Sequence, residues 1–293
     1  MSMLTLDLLT FDPGQACTSP SAYAEQVMQL VEASWDSGAD LVLLPEFTWM
    51  GLEPLLPHTT QAPLEAVAGL FWQELFPTLR ERLSRPGKAV VLGTVPARSD
   101  SGSIHNRAPI LTEGVMSYQD KLHLTPWENA FECGDTLKIW HFAGFRIAVI
   151  ICLDIEIPEL SARLRDSQVD LILCPSATET ELGVERVNRC ASARAVELGC
   201  YCAVSHLTGT ATSDLIDVNL GKAALYRPSQ AAFKNSHRTE STEIFTEGCH
   251  QLRVTLDKHP LNVMRRMLTE TNPAHLGTKN AGRERVIRLE STS

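Results

Sequence analysis

Short apolar runs recur along the chain at intervals that suit buried strands. Several contain four or five aliphatic residues in succession, which is typical of strands covered on both faces in a parallel sheet. The runs are LTLDLL from Leu4, LVLLP from Leu41, AVVLGTV from Ala89, IAVII from Ile147, LILCP from Leu171 and YCAVSH from Tyr201. We predict a β-strand at each of these runs.

Helical patterns lie between the apolar runs. Apolar residues recur there at spacings of three and four, which predicts amphipathic helices. The sets are Tyr23, Val27, Leu30 and Val31; Leu64, Val67, Leu70 and Phe71, before an interruption at Pro77; and Val184, Val187, Ala191, Ala195 and Leu198. Because strands and helices alternate, the sequence predicts an α/β fold.

The C-terminal third of the chain has shorter apolar segments. GKAALYRPS, AAFK and HQLRVTLD favour short, more alternating strands joined by turns, so we expect antiparallel strands there. No internal repeat and no low-complexity linker divides the chain. We therefore predict one domain over residues 1–266 and treat residues 267–293 as a C-terminal extension, for which an oligomer interface is one candidate position.

Composition and charge narrow the class of protein. The chain has 293 residues, of which 44% are hydrophobic and 21% charged, and its formal net charge is -9. That charge argues against a nucleic-acid surface, which needs a basic patch. The N-terminus lacks the basic region of a secretory signal, and no apolar segment approaches the roughly 20 residues of a membrane span. We therefore expect a cytoplasmic protein that binds neither nucleic acid nor membrane.

One of the eight cysteines ends an apolar run. Without a secretory signal the thiols are expected to stay reduced, and the absence of a C-x-x-C pair argues against a zinc site. Cys152 follows IAVII and precedes PELSARLRDS, where Pro158 and Glu159 favour a helix start. Ligands of α/β sheets bind beyond the carboxyl ends of the strands. Cys152 is therefore a candidate nucleophile, although a thiol that packs in the core also explains this segment alone.

Two further segments carry ionisable residues that suit catalysis. Glu46 follows LVLLP, and burial there would raise its pKa toward values useful for a general base; pairing with an arginine or capping a helix is the alternative. QDKLHLTPWENAFECGD, from Gln119 to Asp135, is predicted to be a long functional loop. Its Lys121 could stabilise an oxyanion or a thiolate, and a solvated lysine is the alternative.

Together these three segments resemble the nitrilase, or carbon-nitrogen hydrolase, superfamily, which carries Glu, Lys and Cys in this chain order. PEF supplies Glu46, DKLHL supplies Lys121 and ICLDIEIPE supplies Cys152. ENAFECGD, CPSA, ARAVELG and GKAALYRPS also resemble family segments, so the resemblance extends from the first strand to about Arg266. It implies an α/β fold of the four-layer α-β-β-α sandwich type and homodimers or higher homo-oligomers.

The resemblance also implies a catalytic set of Glu46, Lys121, Cys152 and Glu128, with no cofactor and no metal. Glu46 would take the thiol proton while the sulfur attacks an amide carbon, and water would then hydrolyse the thioester. Lys121 and the backbone N–H of Leu153 are candidates to bind the oxyanion, and Glu128 could orient Lys121 or the substrate nitrogen. The substrate-binding candidates are Trp127, Phe131, Leu153, Ser176 and Ala177.

Departures from the family pattern bear on the substrate. Leu153 follows the cysteine where an aromatic residue is usual, and Asp154 is the residue of amidase branches, where true nitrilases have glutamate. Leu198 replaces a common asparagine. The substrate expected from this pattern is a small linear amide or N-carbamoyl compound. A nitrile is the alternative substrate, and a non-catalytic binding module with an inert cysteine is the alternative function.

Three other polar residues near these motifs are predicted to have structural roles. We expect Asp154 to fix the backbone turn after Cys152 through hydrogen bonds to main-chain N–H groups. His123 and His206 lie in segments that are predicted to pack, which favours structural histidines over a Cys-His catalytic pair.

Overall fold

The computed structural model of the chain describes residues 2–15, 17–165, 167–213 and 215–267. The strands there are β1 Met3–Leu9, β2 Leu41–Leu44, β3 Ala89–Leu92, β4 Val95–Arg98, β5 Ile104–Thr112, β6 Val115–Asp120, β7 Trp140–Phe142, β8 Phe145–Val149, β9 Leu171–Ser176, β10 Tyr201–His206, β11 Gly209–Thr210, β12 Val218–Asn219, β13 Ala224–Tyr226, β14 Thr239–Ser241 and β15 Gln251–Asp257. The α-helices are α1 Pro20–Asp36, α2 Pro63–Gly69, α3 Phe76–Arg82, α4 Pro158–Arg165, α5 Glu181–Leu198 and α6 Lys258–Met264. Short 3₁₀ turns cover Thr48–Leu55, Cys152–Glu156 and Ala231–Phe233, and a π-helical turn covers Leu70–Leu75.

The strands form two large sheets and one small pair. The first sheet has the order β15-β1-β2-β3-β5-β4, with β6 paired to β5, and the second has the order β14-β13-β10-β9-β8-β7. The centre of each sheet is parallel, because β1, β2 and β3 pair in parallel in one and β8, β9 and β10 in the other. The outer strands are antiparallel, as expected for the C-terminal third, where β15 pairs with β1.

The two sheets pack on each other, and helices cover their outer faces. Leu41 and Leu43 of β2 belong to a core shared with the second sheet, whereas Val42 and Leu44 belong to a core on the opposite face. This division follows from the alternation of side chains along a strand. β1 and β2 contact β10 and β9 across the shared core. α1 contributes to the outer core of the first sheet, and α5 packs on β10 of the second. The predicted α/β fold is therefore confirmed.

The helix α5 has clear start and stop signals that fix its position beside the second sheet. Thr180 caps its N-terminus, and the Thr180 side chain accepts a hydrogen bond from the Gly183 N–H at 3.1 Å. Gly199 ends it in a left-handed conformation with φ 57°. Because α5 follows β9 through the segment 177–180, these caps also fix the loop that leaves the carboxyl end of β9.

Two sequence predictions of local structure have opposite outcomes, and the strand predicted at AAFK is wrong. AAFK forms the 3₁₀ turn Ala231–Phe233 and no strand, because Phe233 turns inward to pack on the Tyr201 ring, with 5.8 Å between centroids. The second helical segment is interrupted ahead of Pro77, as predicted, because the π-helical turn Leu70–Leu75 separates α2 from α3. Pro77 itself lies in the first turn of α3, where a proline is tolerated.

The C-terminal part of the domain is a short helix that closes the core. Leu261 and Met264 of α6 are buried in the core shared by the sheets. Of the predicted extension, all but Met267 lies outside the described residues, so its assignment stays a prediction. Among the helices of the described ranges, none is both long and apolar enough to cross a bilayer.

Candidate active site

Glu46 lies just beyond the end of β2, where the strand gives way to a tight turn. The next residue, Phe47, has a left-handed backbone with φ 58°, and its N–H donates to Thr94 Oγ1 at 2.8 Å. Gly93 approaches so closely that a Cβ there would lie 2.2 Å from the Pro45 carbonyl oxygen. The turn is therefore held by its neighbours, and it keeps the Glu46 side chain buried, with 1% of its surface exposed.

Lys121 follows β6 directly and is as buried as Glu46. Its Nζ donates to Glu46 Oε1 at 2.8 Å and to Glu128 Oε2 at 2.6 Å. Its main-chain N–H donates to the Asn106 carbonyl oxygen at 2.9 Å, which ties the lysine to β5. Two buried carboxylates thus share one ammonium group, and the alternative of a solvated Lys121 is excluded.

Glu128 is held by a short turn in which Thr125 and Glu128 hydrogen bond to each other. The Thr125 N–H and the Thr125 Oγ1 donate to Glu128 Oε2 at 2.8 and 2.9 Å, and the Glu128 N–H donates to the Thr125 carbonyl oxygen at 3.1 Å. The carboxylate is therefore fixed by its own segment as well as by Lys121. Charge-assisted hydrogen bonds of this kind are about twice as strong as neutral ones.

Cys152 opens the 3₁₀ turn that follows β8. Its backbone has φ 44°, a conformation that is uncommon outside glycine and that concentrates at functional turns. The thiol is buried, and its Sγ lies 3.5 Å from the Ala177 carbonyl oxygen. The Ala177 N–H donates to Glu46 Oε2 at 3.2 Å, so one residue at the end of β9 contacts both the sulfur and the carboxylate.

Asp154 links the cysteine turn to the lysine segment. Its carboxylate accepts the main-chain N–H groups of Leu122 at 3.0 Å and His123 at 2.8 Å, and it lies 2.9 Å from His123 Nδ1. These hydrogen bonds to the backbone agree with the expected structural role, although the backbone is that of the Lys121 segment. His206 is buried in β10, where its Nδ1 lies 2.8 Å from the Lys222 carbonyl oxygen.

Glu46, Lys121, Glu128 and Cys152 line a cavity of about 280 Å³. Of the predicted substrate-binding residues, Trp127, Leu153 and Ala177 line it. Phe131 is buried against Phe47, with 6.4 Å between ring centroids, and is not part of the lining. Ser176 is also buried behind the wall, with its Oγ 3.4 Å from Cys174 Sγ. The rest of the lining that sequence reasoning did not identify is Phe47, Thr125, Glu156, Thr178, Glu179, Thr180, Gly183, Arg186, Val187, Leu215, Ile216 and Asn219.

The electrostatics of the site favour proton transfer near neutral pH. Burial, reinforced by the charge of Glu128 and opposed by Lys121, raises the pKa of Glu46 to about 7. Burial and then the charge of Glu46 raise the pKa of the Cys152 thiol well above its usual value. Burial alone would lower the pKa of Lys121, but the neighbouring acids, Glu46 foremost, outweigh it and raise that pKa. The thiol therefore rests protonated beside a carboxyl group that can exchange a proton at pH 7.

Asn106 lies outside the cavity lining and is a further residue of the site that sequence reasoning missed. It is buried in β5, and its Nδ2 donates to Glu46 Oε1 at 2.9 Å and to Glu128 Oε1 at 3.1 Å. The available signal was a polar residue at an inward position of a strand, between Ile104 and Ala108. Across the part of the chain that the structure describes, no group of three or more His, Cys, Asp or Glu side chains is arranged to hold a metal ion.

The arrangement combines the parts that acyl transfer requires. A buried thiol, a carboxyl group with a pKa near neutrality and an ammonium group converge on one cavity. These are a nucleophile, a proton acceptor and a donor for a developing oxyanion.

Comparisons with known proteins agree with this chemistry. The sequence model of the family "Carbon-nitrogen hydrolase" matches residues 12–245. The chain is 29% identical over 217 residues to a probable hydrolase, YhcX, of Bacillus subtilis, which covers 72% of this chain and 42% of that protein. It is 28% identical over 180 residues to an (R)-stereoselective amidase of Pseudomonas sp., covering 60% of this chain and 62% of the relative. It is 23% identical over 177 residues to the omega-amidase YafV of Escherichia coli, covering 59% and 64%. The matches thus span less than two thirds of these relatives.

Solved structures share the fold over most of the chain. A carbon-nitrogen hydrolase superfamily protein of Xanthomonas campestris has a TM-score of 0.69 at 20% identity, covering 90% of this chain and 94% of that one. Nit3 of Saccharomyces cerevisiae, a member of the nitrilase superfamily, has a TM-score of 0.70 at 18% identity, covering 92% and 96%. Because the family model spans well over half of the sequence and the fold is shared, this chain belongs to the carbon-nitrogen hydrolase family.

Proposed function

We propose that the chain is an amidase that hydrolyses a small linear amide or N-carbamoyl compound through a thioester on Cys152. The observation that carries this proposal is the convergence of Cys152, Glu46, Lys121 and Glu128 on one cavity. The amidases among the relatives support an amide in preference to a nitrile. Asp154, the residue of the amidase branches, points the same way.

In the first step Glu46 Oε2 accepts the thiol proton while the sulfur bonds to the carbonyl carbon of the amide. Glu46 Oε1 already accepts hydrogen bonds from Lys121 and Asn106, so Oε2 is the oxygen with room for the proton. A base with a pKa of about 7 is matched to this task at neutral pH.

The carbonyl oxygen becomes negatively charged as the carbon–sulfur bond forms. Lys121 uses two of its three N–H donors on Glu46 and Glu128, which leaves the third for the oxyanion. The backbone N–H of Leu153 is the second donor in this proposal. Removal of one such donor commonly costs about 3 to 4 kcal/mol of transition-state stabilisation.

Collapse of this intermediate breaks the carbon–nitrogen bond. The nitrogen leaves with the proton that Glu46 accepted, and the acyl group stays on Cys152 as a thioester. Water then gives a proton to Glu46 while its oxygen bonds to the acyl carbon, and the sulfur leaves and recovers that proton. Glu128 keeps Lys121 in place throughout.

The walls of the cavity favour a small acyl group. Its volume is about 280 Å³, and apolar side chains, Trp127, Leu153 and Leu215, contribute to the lining. Near them Arg186 Nε donates to Glu156 Oε2 at 3.2 Å, and Glu179 also lines the cavity, so the wall offers charged groups as well as apolar ones to the substrate.

Ammonia release from a panel of substrates tests the proposal. The panel contains short-chain amides, dicarboxylate monoamides and N-carbamoyl amines, each amide with its matching nitrile. We expect release from at least one amide or carbamoyl compound and none with Cys152→Ala. Faster acid formation from nitriles would assign a nitrilase, and no turnover of the panel, or full activity of Cys152→Ala, would contradict the proposal.

We also propose that the enzyme acts in the cytoplasm as a homodimer or a higher homo-oligomer. Support comes from large apolar side chains on its surface, among them Leu182 of α5 and Ile244, which are exposed in the single chain. Light scattering coupled to size-exclusion chromatography measures the mass directly. A single-chain mass at micromolar concentration would contradict this proposal.

A further inference from the structure

Asn106 contacts every charged member of the buried cluster. Its two amide hydrogens go to different glutamates, with Nδ2 at 2.9 Å from Glu46 Oε1 and at 3.1 Å from Glu128 Oε1. The main-chain carbonyl oxygen of Asn106 accepts the main-chain N–H of Lys121 at 2.9 Å. The amide group and the ammonium group therefore bridge the same two carboxylates side by side.

The stability of the fold does not explain an asparagine at this position. Asn106 Oδ1 is buried and has no hydrogen-bond partner among the described residues. An unpaired buried acceptor is unfavourable, and an apolar residue of similar shape would avoid it. The neighbouring inward positions of β5 are indeed apolar, Ile104 and Ala108. What the asparagine adds is its pair of donors.

The Asn106 amide helps to determine which carboxylate oxygen of Glu46 has a lone pair available to accept a proton. Oε1 accepts two hydrogen bonds, from Asn106 and Lys121, and thereby uses both of its lone pairs. Oε2 accepts the Ala177 N–H at 3.2 Å, and the same Ala177 lies 3.5 Å from Cys152 Sγ through its carbonyl oxygen. The Cys152 thiol is itself a hydrogen-bond partner of the Glu46 carboxyl group. The free lone pair of Glu46 therefore lies on the side of the sulfur.

We propose that Asn106 is a positioning residue that holds the Glu46 carboxylate with Oε2 toward Cys152 and stabilises the ionised form of Glu46 through the amide that also bonds to Glu128. The inference rests on the proposed role of Glu46 as the base. Asn106 is not part of the cavity lining, and in this proposal it acts through Glu46.

Alkylation of Cys152 by iodoacetamide tests this inference without a known substrate. The rate is measured from pH 5 to pH 9 by mass spectrometry of the Cys152 peptide. In the wild type we expect the rate to rise with a midpoint near pH 7, where Glu46 loses its proton. In Asn106→Leu the Glu46 carboxylate loses the hydrogen bond from the Asn106 amide, which favours its ionised form. We therefore expect the midpoint of the pH profile to rise by about one pH unit and the alkylation rate at pH 7 to fall about tenfold.

Asn188→Leu is the matched control, because it removes a buried amide whose side-chain hydrogen bonds among the described residues are to the Val184 carbonyl oxygen and the Tyr226 hydroxyl. Its midpoint should equal that of the wild type. Asn106→Ala, which cannot clash, provides the second variant, and circular dichroism checks the fold of each. A midpoint that stays unchanged in both folded Asn106 variants would overturn the inference alone. A wild-type rate without a step near pH 7 would overturn both the inference and the proposed role of Glu46.

Discussion

Glu46 and Asp170 are both buried carboxylates with a cation beside them, yet their surroundings shift the pKa in opposite directions. Asp170 precedes β9 and is paired with Lys258 at 2.9 Å and with Arg265. The Arg146 N–H also donates to it at 2.8 Å. Burial raises its pKa, but these donors outweigh burial and lower it. For Glu46 burial prevails, and the pKa rises to about 7.

The opposite pKa shifts follow from the ratio of basic side chains to carboxylates in each cluster. Three basic residues serve the single carboxylate of Asp170, whereas two carboxylates, Glu46 and Glu128, share Lys121. An excess of cations fixes the ionised form and ties segments together. A deficit leaves a carboxyl group that can change its charge. Buried ion pairs are therefore weak evidence for catalysis unless the balance of donors leaves one group able to accept a proton.

The largest expected effect separates the reactive thiol from the other buried thiols. Cys152→Ala should lower kcat/KM at least about 10⁴-fold, because the acyl group has no other acceptor. Cys202 is also buried, with a pKa raised well above its usual value by burial, but it lies within β10. Cys202→Ala should keep kcat/KM within about twofold, and steady-state kinetics on the same substrate compare the two. Equal losses in both variants would place the chemistry elsewhere.

The second largest effect is expected from Lys121, and Lys258 beside Asp170 provides the comparison. Lys121→Met should lower kcat by about 10²- to 10³-fold, because the oxyanion loses a donor and Glu46 loses its cation. Lys258→Met should change kcat less than about twofold, because Asp170 keeps Arg146 and Arg265. Single-turnover kinetics with each variant measure the chemical step. An active Lys121→Met would remove this lysine from the mechanism.

For the free energy of unfolding, we expect Asp170 to matter more than Glu46, although Glu46 is the residue proposed for catalysis. Asp170→Asn leaves several cations without their buried partner, so we expect the free energy of unfolding to fall by about 3 kcal/mol. Glu46→Gln should cost less, because its carboxylate is poorly compensated in the folded protein. Urea unfolding at pH 7 measures both. A larger loss in Glu46→Gln would mean that Glu46 is primarily a structural residue.

The smallest effect is in the pH dependence of stability. A folded-state pKa raised from 4.5 to about 7 means that the folded protein holds a proton that the unfolded chain has lost, so stability decreases as pH rises between these values. Between pH 5 and pH 7 the free energy of unfolding of the wild type should fall by about 2 kcal/mol more than that of Glu46→Gln. The lowered pKa of Asp170 acts oppositely, since its contribution is present above its ordinary pKa and is lost as pH falls through the folded value. Parallel pH curves for the wild type and Glu46→Gln would contradict the raised pKa.

The sequence predicted those features that depend on local pattern. Unbroken apolar runs such as LILCP identified the central strands, and each of the motif residues Glu46, Lys121 and Cys152 lies shortly after a strand. Their roles in catalysis stay proposals. The left-handed turns at Phe47 and Cys152 left no signal in the sequence, because they depend on contacts with residues distant along the chain, such as Thr94.

Asn106 and Phe131 define the limits of such reasoning. Asn106 lies 60 positions from Glu46, and only the pairing of β5 with β3 and β6 brings it to the two glutamates. Phe131 lies in a motif with Glu128 and was therefore predicted to contact substrate, whereas its ring packs behind the cavity wall on Phe47. A motif specifies which residues are near the site along the chain, but packing decides which of them face it.

The central claim is that Glu46 and Lys121 make Cys152 the acyl acceptor. The most direct measurement is peptide mass spectrometry of the enzyme quenched in acid during turnover of an accepted amide. The account predicts an added acyl mass on the peptide that carries Cys152 in the wild type and none in Glu46→Gln. An acyl mass on another cysteine, or ammonia release without any acyl adduct on Cys152, would contradict it.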